Sequence, residues 1–253
     1  MTGPPNRPVK TVDTAAEILS ALETSGKMTL REIANSIDCA ESTTHRHLAT
    51  LEHNEFIVRE GGQYRLSFRF LEVGGKLRDQ HPLFKTGREY ADQLAEETDE
   101  RIWLSTIENA QNVSLYWTSN RCPLHHHSRI GSRYHLHVNA NGKVTLAELP
   151  DEEVTRIIQE HGLPRKTDQT ITDEDRLFEE LETVREQGYA VSHGEYFEGM
   201  TSVAVPIAVA EFDVLGAIGV GFPTDSKSSA EQEEIVKLLT ESADDIALQI
   251  RVE

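Results

Sequence analysis

Residues 29–65 read TLREIANSIDCAESTTHRHLATLEHNEFIVREGGQYR, and this stretch decides the fold. Thr29 and Glu32 have the spacing of a capping box, in which each side chain bonds the other's backbone N–H at a helix start. Behind them Leu30, Ile33, Ala34 and Ile37 recur at helical spacing, so a short helix opens here. A polar break at residues 38–40 precedes a second helix over residues 41–54, burying Thr44, His47, Leu48 and Leu51. Its other face carries Ser42, Thr43, His45, Arg46, Ala49 and Thr50, small or hydrogen-bonding groups in place of an ordinary charged solvent face. Two helices joined by a short turn, the second outwardly polar at its start, make a helix-turn-helix. Residues 56–60 and 63–67 then flank Gly61-Gly62, a two-residue hairpin signal, and that hairpin is a wing. Strand alternation turns Val58, Tyr64 and Leu66 toward the core and Arg59 and Arg65 outward.

Working outward, residues 11–23 form a first helix with Val12, Ala15, Ala16, Leu19 and Leu22 on one face, stopped at Gly26. Residues 70–80 look helical, with Gly74-Gly75 as an interruption, and Pro82 marks a restart. These signals divide the chain into a winged-helix domain at 1–67, a linker helix at 68–82 and a second domain at 83–253. In the second domain the pattern predicts a helix at 83–98 and strands at 101–107, 113–118 and 124–130. Helices follow from Asn141-Gly142 to 149, at 151–161 and at 172–187. Strands at 189–192, 202–210 and 214–222 precede a last helix at 230–252. Strands with helices segregated between and after them make an α+β sensory domain.

Net charge is −18, which sits badly with a nucleic-acid binder until the chain is divided. Residues 1–80 hold 10 Lys+Arg against 11 Asp+Glu, whereas residues 81–253 hold 15 against 32. The acid therefore lies away from the reading head. With 8 lysines against 17 arginines and acid-rich stretches at 96–100 and 173–182, the surface suits a salt-rich cytoplasm, and we expect a halophile. The N-terminal MTGPPNRPVK lacks the apolar core of a signal peptide, and no apolar run reaches membrane-spanning length. Cys39 and Cys122 form no recognisable pair, which fits a reducing, cytoplasmic compartment.

Three stretches in order, residues 31–66, 131–154 and 184–207, resemble the IclR family of bacterial and archaeal transcription regulators, and the likeness spans roughly residues 11–252. The resemblance implies a winged helix joined by a linker helix to a GAF-like, mixed α/β effector-binding domain. It also implies assembly as a homodimer or homotetramer on operator DNA. Where the family's recognition helix usually begins Pro-Lys-Ser-Thr, this chain has Ala40-Glu41-Ser42-Thr43. Where members that bind small carboxylates place an aspartate and a cysteine beside the ligand, this chain has Ser192 and Ser202. Serines common in the family's last strand match Gly219 and Gly221 here.

For DNA contact, Arg46 and His45 are expected to reach base edges or phosphates, since arginine pairs bidentately with guanine. Ser42 and Thr43 suit phosphate oxygens near a helix N-terminus, and Arg59 and Arg65 suit the backbone or minor groove. For the effector, Asn139, Ala140, Asn141 and Gly142 stand where free N–H groups favour an anion or polar oxygen. Ser192 and Ser202 add hydroxyls, and Gly219 and Gly221 leave room for a bulkier ligand such as a sugar acid. The alternative is a metal-sensing regulator built on the cluster at 122–137, with His125, His127, His135 and His137 as candidate ligands beside Cys122 and His126. Alternating strand positions split His125 and His127 from His126, which argues against convergence. No nucleophile elbow, Walker loop or dinucleotide fingerprint appears, so neither an enzyme nor a cofactor is expected. The reading is a regulator that binds double-stranded operator DNA and answers to a small-molecule effector, an intermediate of carbon catabolism.

Overall fold

A computed structural model describes residues 7–118 and 129–252. The chain forms two compact units divided between Leu77 and Arg78.

In the N-terminal unit the helices α1 (Lys10–Ser25), α2 (Leu30–Ser36) and α3 (Glu41–His53) surround one small core. A three-stranded sheet of order β1-β3-β2 is built from β1 (Met28–Thr29), β2 (Ile57–Glu60) and β3 (Gln63–Leu66). The Thr29 N–H donates to the Glu32 carboxylate at 2.7 Å and the Glu32 N–H to Thr29 Oγ1 at 3.3 Å, so the capping box closes as expected. Ile18, Leu22, Ile33, Leu48, Ile57 and Tyr64 form the core. Gly61 and Gly62 both take positive φ, 59° and 84°, the pair that a tight hairpin turn demands.

Two expectations shift by one position. In α1 the fully buried residues are Thr14, Ile18 and Leu22, with Ala15 and Leu19 half-buried against the same core and Val12 63% exposed. In the wing, Ile57 pairs with Leu66 and Arg59 with Tyr64, so Ile57 is the core residue of β2. Val58 is half-buried and pairs with Arg65 on the opposite face. Arg59 and Arg65 therefore point to opposite sides, because a one-residue change of phase exchanges the faces of a strand.

A helix α4 (Arg69–Gln80) follows and runs through Gly74-Gly75 without a break, burying none of its residues. In the C-terminal unit a six-stranded antiparallel sheet has the order β6-β5-β4-β9-β8-β7. Its strands are β4 (Arg101–Glu108), β5 (Gln111–Trp117), β6 (Arg133–His135), β7 (Ala190–His193), β8 (Met200–Val209) and β9 (Val214–Pro223). Of the strand expected at 124–130, residues 124–128 lie outside the described residues, and the edge strand is β6. One face packs on α5 (Pro82–Thr98) and α9 (Ser229–Val252) through Leu83, Leu94, Ile235, Leu239 and Ile246. The other packs on α6 (Ala140–Ala147), α7 (Asp151–His161) and α8 (Glu174–Gln187).

Period-two alternation sorts the strand residues between these layers. Val203, Val205 and Ile218 go to the α5/α9 core, and Ala204 and Ala217 to the α6 side. Small side chains on the α6 face let that helix lie close to the sheet. A Cβ added to Gly219 would stand 2.3 Å from Asn141 Oδ1 and 2.9 Å from Ala204 Cβ.

Candidate functional site

On α3, Ser42, His45, Arg46, Ala49 and Thr50 are exposed and Thr43 is half-buried, while Thr44, Leu48 and Leu51 go inward. The outward stripe follows from helical period: each core residue is three or four positions from the next. No described residue pairs with the Arg46 guanidinium or the His45 imidazole. Glu41, also exposed, stands in the first turn, where the helix dipole favours it.

The wing arginines differ in freedom. Arg65 is anchored: Nε and Nη2 donate to Glu60 Oε1 at 3.1 and 2.5 Å, and Nη1 donates to the Leu66 carbonyl at 3.0 Å. That contact holds the Glu60 carboxyl down to about 2, with Lys27 at 2.8 Å helping. Arg59 is exposed and its guanidinium carbon lies 5.5 Å from the Tyr64 ring centroid.

In the C-terminal unit a cavity of about 120 Å³ opens between the α6 N-terminus, β4, β5 and the segment joining β7 to β8. Asn139, Asn141, Ser192, Ser202 and Gly221 line it. Asn139 caps α6, its Oδ1 accepting from the Gly142 N–H at 2.9 Å. The Asn141 amide donates to Ser105 Oγ at 3.0 Å. Ala140, Gly142 and Gly219 stand behind the wall. Gly142 makes room for the Leu136 carbonyl, and Gly219 makes room for Asn141. A Cβ on Gly221 would meet the Trp103 ring at 2.7 Å. Both sheet glycines are thus matched to side chains of this chain, a use that sequence reading did not supply.

Ten residues 103, 105, 112, 114, 134, 195–197, 200 and 201 also line the cavity without having been singled out from sequence. Glu195 matters most. Lys143, only 1% exposed, donates from Nζ to Glu195 Oε1 at 2.6 Å and to Glu180 Oε1 at 2.9 Å. Burial pushes the Glu195 carboxyl up, and Lys143 opposes this. The Ser192 hydroxyl acts in the same direction as Lys143 without closing a hydrogen bond on Glu195 Oε2. The two acids Glu195 and Glu198 in the segment HGEYFEGM were the available signal.

The candidate metal ligands divide. Cys122, His125, His126 and His127 lie outside the described residues. His135 and His137 have ring centroids 5.8 Å apart, and His161 lies 6.4 Å from His135. Among the described residues no three His, Cys, Asp or Glu side chains converge as a metal site. Instead His137 Nε2 bonds the Pro164 carbonyl at 3.2 Å. Burial pushes its imidazole down to about 4.

Residues 11–61 match the IclR helix-turn-helix domain, and residues 76–248 match the bacterial transcriptional regulator IclR C-terminal domain. The chain belongs to the IclR family. A probable HTH-type transcriptional regulator ArcR of Halobacterium salinarum is 31% identical over 98% of this chain and 96% of that protein. The crystal structure of the Thermotoga maritima IclR superposes with a TM-score of 0.78 at 24% identity, covering 95% of this chain and 98% of that one. An IclR homolog from Microbacterium hydrocarbonoxydans, complexed with 4-hydroxybenzoate, gives 0.80 at 21%, covering 96% and 100%. This chain is accordingly a DNA-binding transcriptional regulator with a C-terminal effector-binding domain, in a non-enzymatic family. Among the described residues no helix is long and apolar enough to cross a membrane.

Proposed function

We propose that this IclR-family regulator binds a pseudo-palindromic operator as a homodimer or homotetramer through Ser42, Thr43, His45 and Arg46, with Arg59 and Arg65 on the wing. A small metabolite of carbon catabolism, bound in the cavity beside Asn139, Asn141, Ser192 and Ser202, shifts operator affinity. The supporting observation is that Arg46 and His45 are exposed on the outward stripe of α3, their side chains unpaired among the described residues. A guanidinium held on a helix that enters a groove pairs with guanine or phosphate. A near-neutral reading head suits work in high salt, where counterion release contributes little and base contact and shape carry more of the affinity. Coupling requires that the ligand prefer one arrangement of the assembly over another. Footprinting upstream of neighbouring genes tests the reading. Protected half-sites about one helical turn apart are expected, and failure to find any protected sequence, or protection that no metabolite alters, counts against it.

A further inference from the structure

The cavity's charge is one-sided. Lys143 is shared by two carboxylates, Glu180 and the cavity's own Glu195, and Glu195 Oε2 is buried without a partner among the described residues. Two other lining residues repeat the pattern: Asn112 Oδ1 and Ser114 Oγ are also buried without partners among the described residues. Glu195, Asn112 and Ser114 are each more than nine-tenths buried. Burying an acceptor that nothing satisfies is costly, and a carboxylate oxygen most of all. No Lys, Arg or His among the described residues lines the cavity. Four aromatic residues, Trp103, Tyr134, Tyr196 and Phe197, also line it. The Tyr196 ring stands edge-on to Tyr134 at 5.1 Å and to Phe197 at 4.5 Å.

An anion bound at this wall would face a carboxylate with no spare cation to balance it. A cation would neutralise the excess, satisfy Oε2 and gain from the electron-rich ring faces. We infer that the cavity takes a small ligand bearing a cationic nitrogen, an ammonium or guanidinium group, held between Glu195 and the aromatic wall. Asn112 and Ser114 accept its remaining donors. This rests on the effector reading above and narrows it, setting aside the sugar acid expected from the sequence.

Thermal melting and operator binding of the full chain, at matched ionic strength, compare two sets of probes. L-lysine, L-arginine and putrescine form one, and glucuronate, 4-hydroxybenzoate and succinate the other. At least one cationic probe should raise Tm and shift operator affinity. Glu195→Gln should then weaken that probe by about ten- to a hundredfold. Ser114→Ala leaves the Lys143 contacts intact and should weaken it by a smaller factor, which guards against a Glu195 variant that folds poorly. Stabilisation by the acidic probes alone overturns the inference while effector binding stands. Stabilisation by none of the six overturns it too, and operator affinity blind to a wider metabolite set removes the effector reading as well.

Discussion

Lys143 Nζ donates to Glu195 Oε1 across 2.6 Å, joining α6 to the segment between β7 and β8 where neither residue is more than a tenth exposed. A buried pair of this kind is neutral or weakly favourable as a whole and severe to break, because removal of one partner strands the other charge. Lys143→Ala should therefore lower stability by about 3–5 kcal/mol in urea unfolding. Lys143→Met combined with Glu195→Leu should recover most of that loss. A double variant as unstable as the single one would show that the pair itself, rather than the stranded charge, carries the stability.

The Arg46 guanidinium makes no hydrogen bond or ion pair with a described residue, so its role and the fold can be separated. Arg46→Ala should leave the melting temperature unchanged and weaken operator binding by about 1–3 kcal/mol, roughly ten- to a hundredfold. Arg65→Ala should instead lower the melting temperature slightly, since Glu60 and the Leu66 carbonyl lose their donor. Gel-shift titration beside calorimetry checks both.

Glu41 stands exposed at the start of α3, where its charge helps the helix and opposes phosphate. Glu41→Lys should tighten operator binding and steepen the salt dependence of log Kd by about one. The same change should reduce stability by about 0.3–1 kcal/mol through the helix dipole. Equal salt slopes for the two proteins would place position 41 away from the phosphate backbone.

His137 titrates near 4 in the fold, below its ordinary 6.5, mainly through burial. Its bond to the Pro164 carbonyl raises the value, while His135, Lys143 and Lys166 nearby lower it further. The fold holds the neutral ring. Stability from it is complete above pH 6.5 and is lost as pH falls from 6.5 toward 4, up to about 3 kcal/mol. His135, also lowered by burial, adds in the same window. Unfolding free energy measured from pH 7 to 4 should decline, and His137→Gln should flatten part of that decline.

Gly219 keeps β9 clear for α6. Gly219→Ala sets a Cβ against Asn141 Oδ1 at 2.3 Å and Val203 O at 2.9 Å, an overpacking worth about 1–3 kcal/mol. Because Asn141 lines the cavity, the same variant should also impair effector binding. Asn141→Ala in that background should relieve only part of the instability, since the Val203 carbonyl remains. Full relief would assign the whole clash to the amide.

Short-range chemistry alone determined the helix-turn-helix and hairpin turn of the N-terminal unit and the caps of the second. Thr29 with Glu32, Gly61 with Gly62, and Asn139 at α6 are choices made within four residues of chain, so their backbone consequences are written locally. The polar outward stripe of α3 follows likewise from helical period and the apolar spacing of Leu48 and Leu51. Phase was harder. Ile57 and Val58 are both β-branched and apolar, and only packing against α1 and α3 selects which one enters the core. The cavity belonged to tertiary structure altogether. Lys143 meets Glu195 across 52 residues and Asn141 of α6 meets Gly219 of β9, and no local propensity encodes such partners. A buried lysine and a buried acid look in sequence like two more surface charges, and only the fold that removes water from both turns them into a site.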